Sequence, residues 1–234
     1  MSGCLICGKP LVYLPDTRKP AICSLCGKQE ETNVICQNGH FVCDECHAKA
    51  AINRIFESAT DLGSKNPVEI LTYILSKPEV YMHGPEHHIL TGASIIIAYC
   101  NAKGISNDSM LKEMIARGSQ VPGGTCGFWG CCGAALSAGI AYSIITGTTP
   151  MSSKEWGNAN MLTSKVLAEI GRYGGPRCCK RTSYIAVLTA SQLISEYTGV
   201  QLDIPAGIQC EFSSQNSECL KIRCPFFCKT FSAH

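Results

Sequence analysis

Charge is scarce in this chain. Asp, Glu, Lys and Arg make up 16% of the residues, well below the roughly 25% usual in soluble domains. Neither sign dominates. The formal net charge is +2, so no broad basic field marks a binder of nucleic acid or anionic membrane. A disordered chain needs high charge and few apolar residues, but hydrophobic residues reach 45% here. Long apolar runs are also lacking. The longest, Ile89–Cys100 and Gly133–Thr146, fall short of the roughly 20 residues that a membrane-spanning helix requires. Both read as buried core helices. The N-terminal stretch lacks the apolar segment of a secretory leader, so a cytoplasmic protein without membrane contact is expected.

What is abundant is cysteine, with 17 residues. The number is odd, and many occur as Cys-x-x-Cys or adjacent pairs, which suits metal binding in a reducing compartment better than a disulfide framework. They define three blocks: a zinc-binding module over 1–48, a helical domain with Cys/Gly-rich loops over 49–200, and a Cys-rich metal-binding tail over 201–234. The expected fold class is mainly α, a bundle of about six or seven helices with the small module before it and an irregular tail after it. Apolar spacing predicts helices over Ala48–Thr60 (Ala51, Ile52, Ile55, Phe56, Ala59) and Pro67–Ser76. Pro85 opens a third that stops at Gly104, and Asn107 or Asp108 caps a fourth ending near Gly118. Gly133–Thr146 follows. Ser152 with Glu155 reads as a capping box for a helix to Ile170 with Gly171 at its end. Thr182 or Ser183 caps the last, through Tyr197.

In the first block, Cys4-x2-Cys7, Cys23-x2-Cys26, Cys36-x3-His40 and Cys43-x2-Cys46 supply eight donors in four close pairs. Two thiolates three residues apart bite one ion, and a second pair completes the tetrahedron of a structural zinc. Spacing leaves the pairing open between sequential sites and a cross-brace that joins the first pair to the third and the second to the fourth. His47, next to a ligand, reads as a bystander. The segment from Cys36 to His47 resembles part of a RING or treble-clef finger, which implies metal binding rather than ubiquitin chemistry.

Three central segments carry candidate chemistry. His83-Gly-Pro-Glu86-His87-His88 places three imidazoles and a carboxylate before a helix, for ligation or proton transfer. Gly123-Gly124-Thr-Cys126-Gly-Phe-Trp-Gly-Cys131-Cys132-Gly133 presents thiols on a glycine-rich loop entering a helix, where the dipole favours thiolates. These are cluster ligands or reactive thiols, whereas Cys100 on an apolar helix reads as packing. Arg177-Cys178-Cys179-Lys180-Arg181 sets two thiols among three cations that would hold negative charge. Because each segment precedes a helix, all three are expected to meet at one end of the bundle. In the tail, Cys210-x8-Cys219-x4-Cys224-Pro225-x2-Cys228 supplies four unequally spaced thiols, which suits a [4Fe–4S] cluster better than zinc.

Together, His83-Gly-Pro-Glu-His-His, the Gly123–Ala135 loop, Gly174-Gly-Pro-Arg-Cys-Cys-Lys-Arg and the Cys-rich tail resemble an uncharacterised family of cysteine-rich proteins of anaerobic archaea and bacteria, from about Ile70 onward. Relatives fused to radical-SAM enzymes imply an iron–sulfur or sulfur-handling context and a redox or radical-SAM-type partner. No reaction is implied. The Cys126–Ala135 stretch is also similar to the Cys-Gly-rich motif of split-Soret-cytochrome-like redox proteins. The leading expectation is an iron–sulfur protein in redox, electron-transfer or sulfur-transfer chemistry in an anaerobe, with two structural zinc ions, one or two [4Fe–4S] clusters and a small-molecule substrate. Self-association is a weaker expectation, from low charge with many apolar residues. The alternatives are a non-catalytic zinc-stapled adaptor for a protein or nucleic-acid partner, and a zinc-dependent hydrolase at His83–His88.

Overall fold

The computed structural model describes residues 3–228, and the side chains of residues 50, 51, 54 and 56–60 lie outside the description. The expected apolar contributions of Ala51, Phe56 and Ala59 therefore lie outside the described residues, as do residues 229–234 of the tail. The N-terminal part has two short antiparallel ladders. Strand β1 (Leu11–Tyr13) pairs with β4 (Val34–Cys36), and β2 (Lys19–Ile22) pairs with β3 (Gln29–Thr32). Two-stranded ladders are marginal alone, so the cysteine turns must hold them. Those turns repeat one geometry. Gly8 N donates to Cys4 O and Cys4 N to Lys9 O, both at 2.8 Å. Gly27 N donates to Cys23 O at 2.9 Å and Cys23 N to Lys28 O at 2.8 Å. Each turn closes on a left-handed glycine, Gly8 at φ +70° and Gly27 at φ +76°, a conformation that a Cβ would penalise.

The rest is helical: α1 (Asp44–Asp61), α2 (Pro67–Leu75), α3 (His87–Lys103), α4 (Asp108–Gly118), the single-turn α5 (Thr125–Phe128), α6 (Gly133–Thr146), α7 (Lys154–Tyr173) and α8 (Cys179–Thr198). Helix α3 is the spine. It is buried from His87 to Cys100 and packs on α2, α4, α6 and α8, as a helix apolar all round must. Small residues on α6 let α3 approach closely. Gly92 N donates to Ser137 Oγ at 2.8 Å, and Gly133 lies against the His88 ring. These two contacts keep one offset along both helices, so α3 and α6 run parallel. Thr91 Oγ1 donates to Ser183 Oγ at 2.9 Å and the backbone N–H of Gly84 faces the Cys179 thiol, so α8 runs parallel to α3 as well. The N-termini of three helices thus share one end of the bundle. The tail folds back on the body: Leu202 and Phe226 join the core, and Asp203 N donates to Lys65 O at 3.1 Å.

Three sequence expectations fail locally. Asn107 stands at the N-cap of α4, but its side chain makes no capping bond. The Ser152–Glu155 capping box does not form. Ser152 Oγ instead accepts Thr149 N at 2.9 Å in the preceding turn, and α7 runs through Gly171 to Tyr173. Thr182 and Ser183 do not cap the last helix either. They lie inside α8, which begins at Cys179, and the Cys178 thiol accepts Arg181 N at 3.5 Å.

Candidate functional site

The N-terminal donors settle into two groups that could hold a metal ion: Cys4, Cys7, Cys36 and His40, and Cys23, Cys26, Cys43 and Cys46. Within each group the ligand atoms all lie within 4.8 Å of one another. This is the cross-brace, not the sequential pairing. Its cause is topological: pairing of β1 with β4 sets Leu11 opposite Cys36, which carries the Cys36–His40 pair back to Cys4 and Cys7. The closest approaches are Cys7 Sγ to Cys36 Sγ at 3.5 Å and Cys26 Sγ to Cys43 Sγ at 3.7 Å. Tetrahedral zinc with thiolate bonds near 2.3 Å would place sulfurs about 3.8 Å apart.

A second gathering of thiols forms in the body. Cys178, Cys210, Cys219 and Cys224 line one cavity, walled by Tyr184 and Phe226. Their charges are mutually coupled, yet among the described residues their sulfurs are not a set lying within 4.8 Å, unlike the two N-terminal groups. Donors face them. Asn216 Nδ2 and Arg181 N each lie 3.5 Å from Cys178 Sγ, and Lys221 N donates to Cys219 Sγ at 3.4 Å. Backbone N–H groups of Phe212 and Phe226 reach Cys210 and Cys224. Arg181 also lines the cavity. Its Nη2 donates to Gly174 O at 2.8 Å and Pro176 O at 3.0 Å, while its buried Nε has no partner. Cys228, the fourth tail thiol expected here, is not in the lining. Its Sγ points to Gln209 Oε1 at 3.9 Å, and Cys178 stands in its place.

The third gathering lies where the N-termini of α3, α6 and α8 meet. Cys179 is coupled to Cys132, Arg177 and Glu86, and Cys126 to Cys132 and Arg177. The helix starts that the two cysteine loops lead into share this end, with Cys132 at the N-cap of α6 and Cys179 at the first position of α8, whereas Cys178 lines the tail cavity. Burial raises the Cys131 thiol, and the neighbouring Cys132 adds to it. Glu86 is fully buried, with Oε2 2.8 Å from His47 Nδ1 and Oε1 3.4 Å from His87 Nδ1. Burial pushes its carboxyl up, but His47 and His87 outweigh that and hold it below the ordinary carboxylate range. Burial, with Arg177 nearby, lowers His83 to about 3. Burial also lowers His87 against the pull of Glu86 and raises the Cys179 thiol to about 12.

These approaches leave hydrogen bonding incomplete. His83 Nε2 lies 2.9 Å from Glu218 Oε2. Even so, among the described residues both nitrogens of His83, both oxygens of Glu86, His87 Nε2, His47 Nδ1, Glu218 Oε2 and Thr125 Oγ1 are buried without a well-aligned partner. Most buried polar atoms are paired, so a concentration of exceptions needs a reason.

Other expected residues serve elsewhere. His88 turns away: its Nδ1 pairs with Val121 O at 2.9 Å. Among the described residues the His83–His88 segment does not bring three ligand atoms within 4.8 Å. Lys180 is buried, and its Nζ donates to Leu75 O and Val80 O, both at 3.2 Å; burial lowers it to about 8. Arg177 lies over the Tyr13 ring, 5.3 Å from its centroid. The N-terminal module reaches the loops in three places. Besides Tyr13 and the His47–Glu86 contact, Asp44 Oδ2 accepts Gly123 N at 2.6 Å. His47, read as a bystander, stays out of the metal groups but contacts Glu86; Asp44, Tyr13, Asn216 and Glu218 carried no signal in the sequence, because each acts through a partner remote in the chain.

A family model described as a family of unknown function, DUF5714, matches residues 55–227. The chain belongs to the DUF5714 family. The DUF5714 region contains the cavity cysteines and all three loops at the helix N-termini, whereas both N-terminal metal groups precede it. No curated protein and no solved structure gives a significant match. Among the described residues no helix is long and apolar enough to cross a membrane.

Proposed function

We propose that the chain is an iron–sulfur protein working in redox, electron-transfer or sulfur-transfer chemistry. Cys178, Cys210, Cys219 and Cys224 would hold a [4Fe–4S] cluster, and the two N-terminal groups would hold structural zinc. The observation that carries this reading is the wide quartet. Four coupled thiols line one cavity without converging as the four donors of each N-terminal group do. A single tetrahedral ion draws its donors together, whereas a polynuclear cluster spans more space between them. Burial raises the Cys178 thiol and holds Cys210 at about 11, which opposes bare thiolates, but a bound metal removes the thiol proton outright. The cluster would supply one-electron chemistry. The protein's part is to tune it: Asn216 and the backbone donors face sulfur, Arg181 offsets negative charge, and Tyr184 and Phe226 limit water. Those levers set a cluster's potential.

The test is anaerobic purification with iron, acid-labile sulfide and zinc assays. Cys210→Ser and Cys224→Ser should each remove about four irons per chain, while Cys228→Ser should keep them. A colourless protein holding only zinc overturns the reading. It would favour the adaptor instead, for which Ile22 at the end of β2 and Leu25 on the second cysteine turn, 65% and 58% exposed, would be the docking residues.

A further inference from the structure

We infer that the tip Lys221–Arg223, which lies between two ligands of the quartet, docks an acidic electron-carrier protein and is the port through which the quartet's cluster exchanges electrons. The inference rests on the iron–sulfur reading and adds to it the surface that meets the partner. Short contacts tie the tip to both ligands. Lys221 N donates to Cys219 Sγ at 3.4 Å, and Cys224 N donates to Lys221 O at 2.8 Å. Cys219, Leu220 and Cys224 line the cavity, whereas Lys221, Ile222 and Arg223 are exposed. The tip is therefore the outer wall of the site, a few covalent bonds from two of its sulfurs.

The backbone supplies a second observation. Lys221 sits at φ +53°, in the left-handed region where a Cβ is strained and glycine is the ordinary occupant. Among the described residues the other ten positions with positive φ are all glycines. The turn alone would therefore take a glycine at 221. A lysine there costs backbone strain and adds only a solvent-facing cation. Strain of this kind is kept where the side chain has work to do.

The chemistry of the tip names the partner. Ile222, 78% exposed, stands between the two cations. Among the described residues neither Lys221 nor Arg223 forms an ion pair. Of the acids between Cys210 and Cys228, Glu218 Oε2 lies 2.9 Å from His83 Nε2, and Glu211 acts on Tyr184. Two unpaired cations around one apolar side chain suit a protein face with carboxylates around an apolar centre. A net charge of +2 gives no broad basic field, which disfavours nucleic acid as the occupant. In the transfer one electron leaves the reduced carrier, which is oxidised, and enters the cluster, which is reduced. No bond is made or broken.

The experiment uses the full chain, reconstituted anaerobically with ferrous iron and sulfide, and a plant-type ferredoxin as the acidic one-electron carrier. Stopped-flow absorbance follows transfer in the direction that the two measured potentials make downhill. Iron assay first establishes about four irons per chain in the parent and each variant. Lys221→Glu combined with Arg223→Glu should slow transfer roughly tenfold at low ionic strength, and Ile222→Ser should slow it less. Added salt should slow the parent and narrow the difference. The viologen radical, a small cation that needs no docking face, should exchange electrons at a rate the charge reversal does not lower. Lys221→Gly should slow the ferredoxin while keeping or raising the urea midpoint, a split that a merely structural lysine would not produce. If the double variant loses iron, Arg223→Glu alone replaces it. Equal ferredoxin rates in parent and double variant, at about four irons in both, overturn the docking and leave the cluster standing. A parent chain that takes up no iron and sulfide overturns the iron–sulfur reading and the docking with it. An oligonucleotide that binds the parent but not the double variant, with ferredoxin transfer unmoved, reassigns the tip to nucleic acid and overturns the carrier.

Discussion

Cys100 and Cys224 are both cysteines in folded surroundings, yet different measurements separate them. Cys100 is fully buried on α3 with its thiol 3.7 Å from Met110 Sδ, and burial raises it to about 11. Cys100→Ser should leave the metal content unchanged and destabilise the fold by about 1–3 kcal/mol, because a more polar group is buried among apolar side chains; urea unfolding with metal assay reads both. The buried imidazoles give a pH dependence of definite sign. Burial lowers His88 and His87 in the folded chain and brings His83 to about 3. As pH falls below about 6.5, the unfolded chain protonates these rings first, so stability present above that pH is lost as acid is added. Glu86, held below its ordinary range, adds a loss in the same direction at lower pH. The urea midpoint should fall from pH 7.5 to 5.5, with bound metal assayed at each pH. The fall should be shallower in His88→Asn.

At the scale of elements, apolar spacing placed α2, and the structure adds the cap that starts it. Asn66 Oδ1 accepts Val68 N at 3.0 Å and Glu69 N at 3.3 Å, and Pro67 occupies the first position, where its missing N–H costs nothing. Asn66→Ala should destabilise by about 1 kcal/mol in thermal or urea unfolding. The α3–α6 contact is stricter. A Cβ on Gly92 would lie 2.5 Å from Met114 Sδ and 2.7 Å from Ser137 O, so Gly92→Ala should cost about 1–3 kcal/mol through overpacking. The apolar run of α3 and the glycine that ends it, Gly104 in left-handed conformation, were legible because they act within a turn. The end of α7 was not. Gly171 looked like its stop, but Gly174, at φ +65°, takes that role. The start of α8 was hidden because its cap is a thiol.

For the molecule as a whole, the sequence revealed the N-terminal donors but not their partners, since spacing is local and the cross-brace depends on which strands pair. The same limit explains why the tail cavity is lined by Cys178 and not by Cys228: only the folded tail shows which thiol lies there. The convergence of the loops was legible from their placement before helices. The contacts of His47 and Asp44 from the N-terminal module were not. Removing metal with a chelator should disorder the N-terminal ladders, which have little core of their own. Limited proteolysis should then cut within residues 3–43 while the helical body resists. Far-UV circular dichroism should retain most of its helical signal.

Cys178 and Cys179 are neighbours in the chain, with α-carbons about 3.8 Å apart, yet one faces the tail cavity and the other the loops of α3 and α6. The peptide between them is a partition a single residue thick. A charge placed on one side would act on the other across that single peptide, at a separation too short for solvent to screen. Inserting even one residue there would rotate the first turn of α8 and misalign both compartments together.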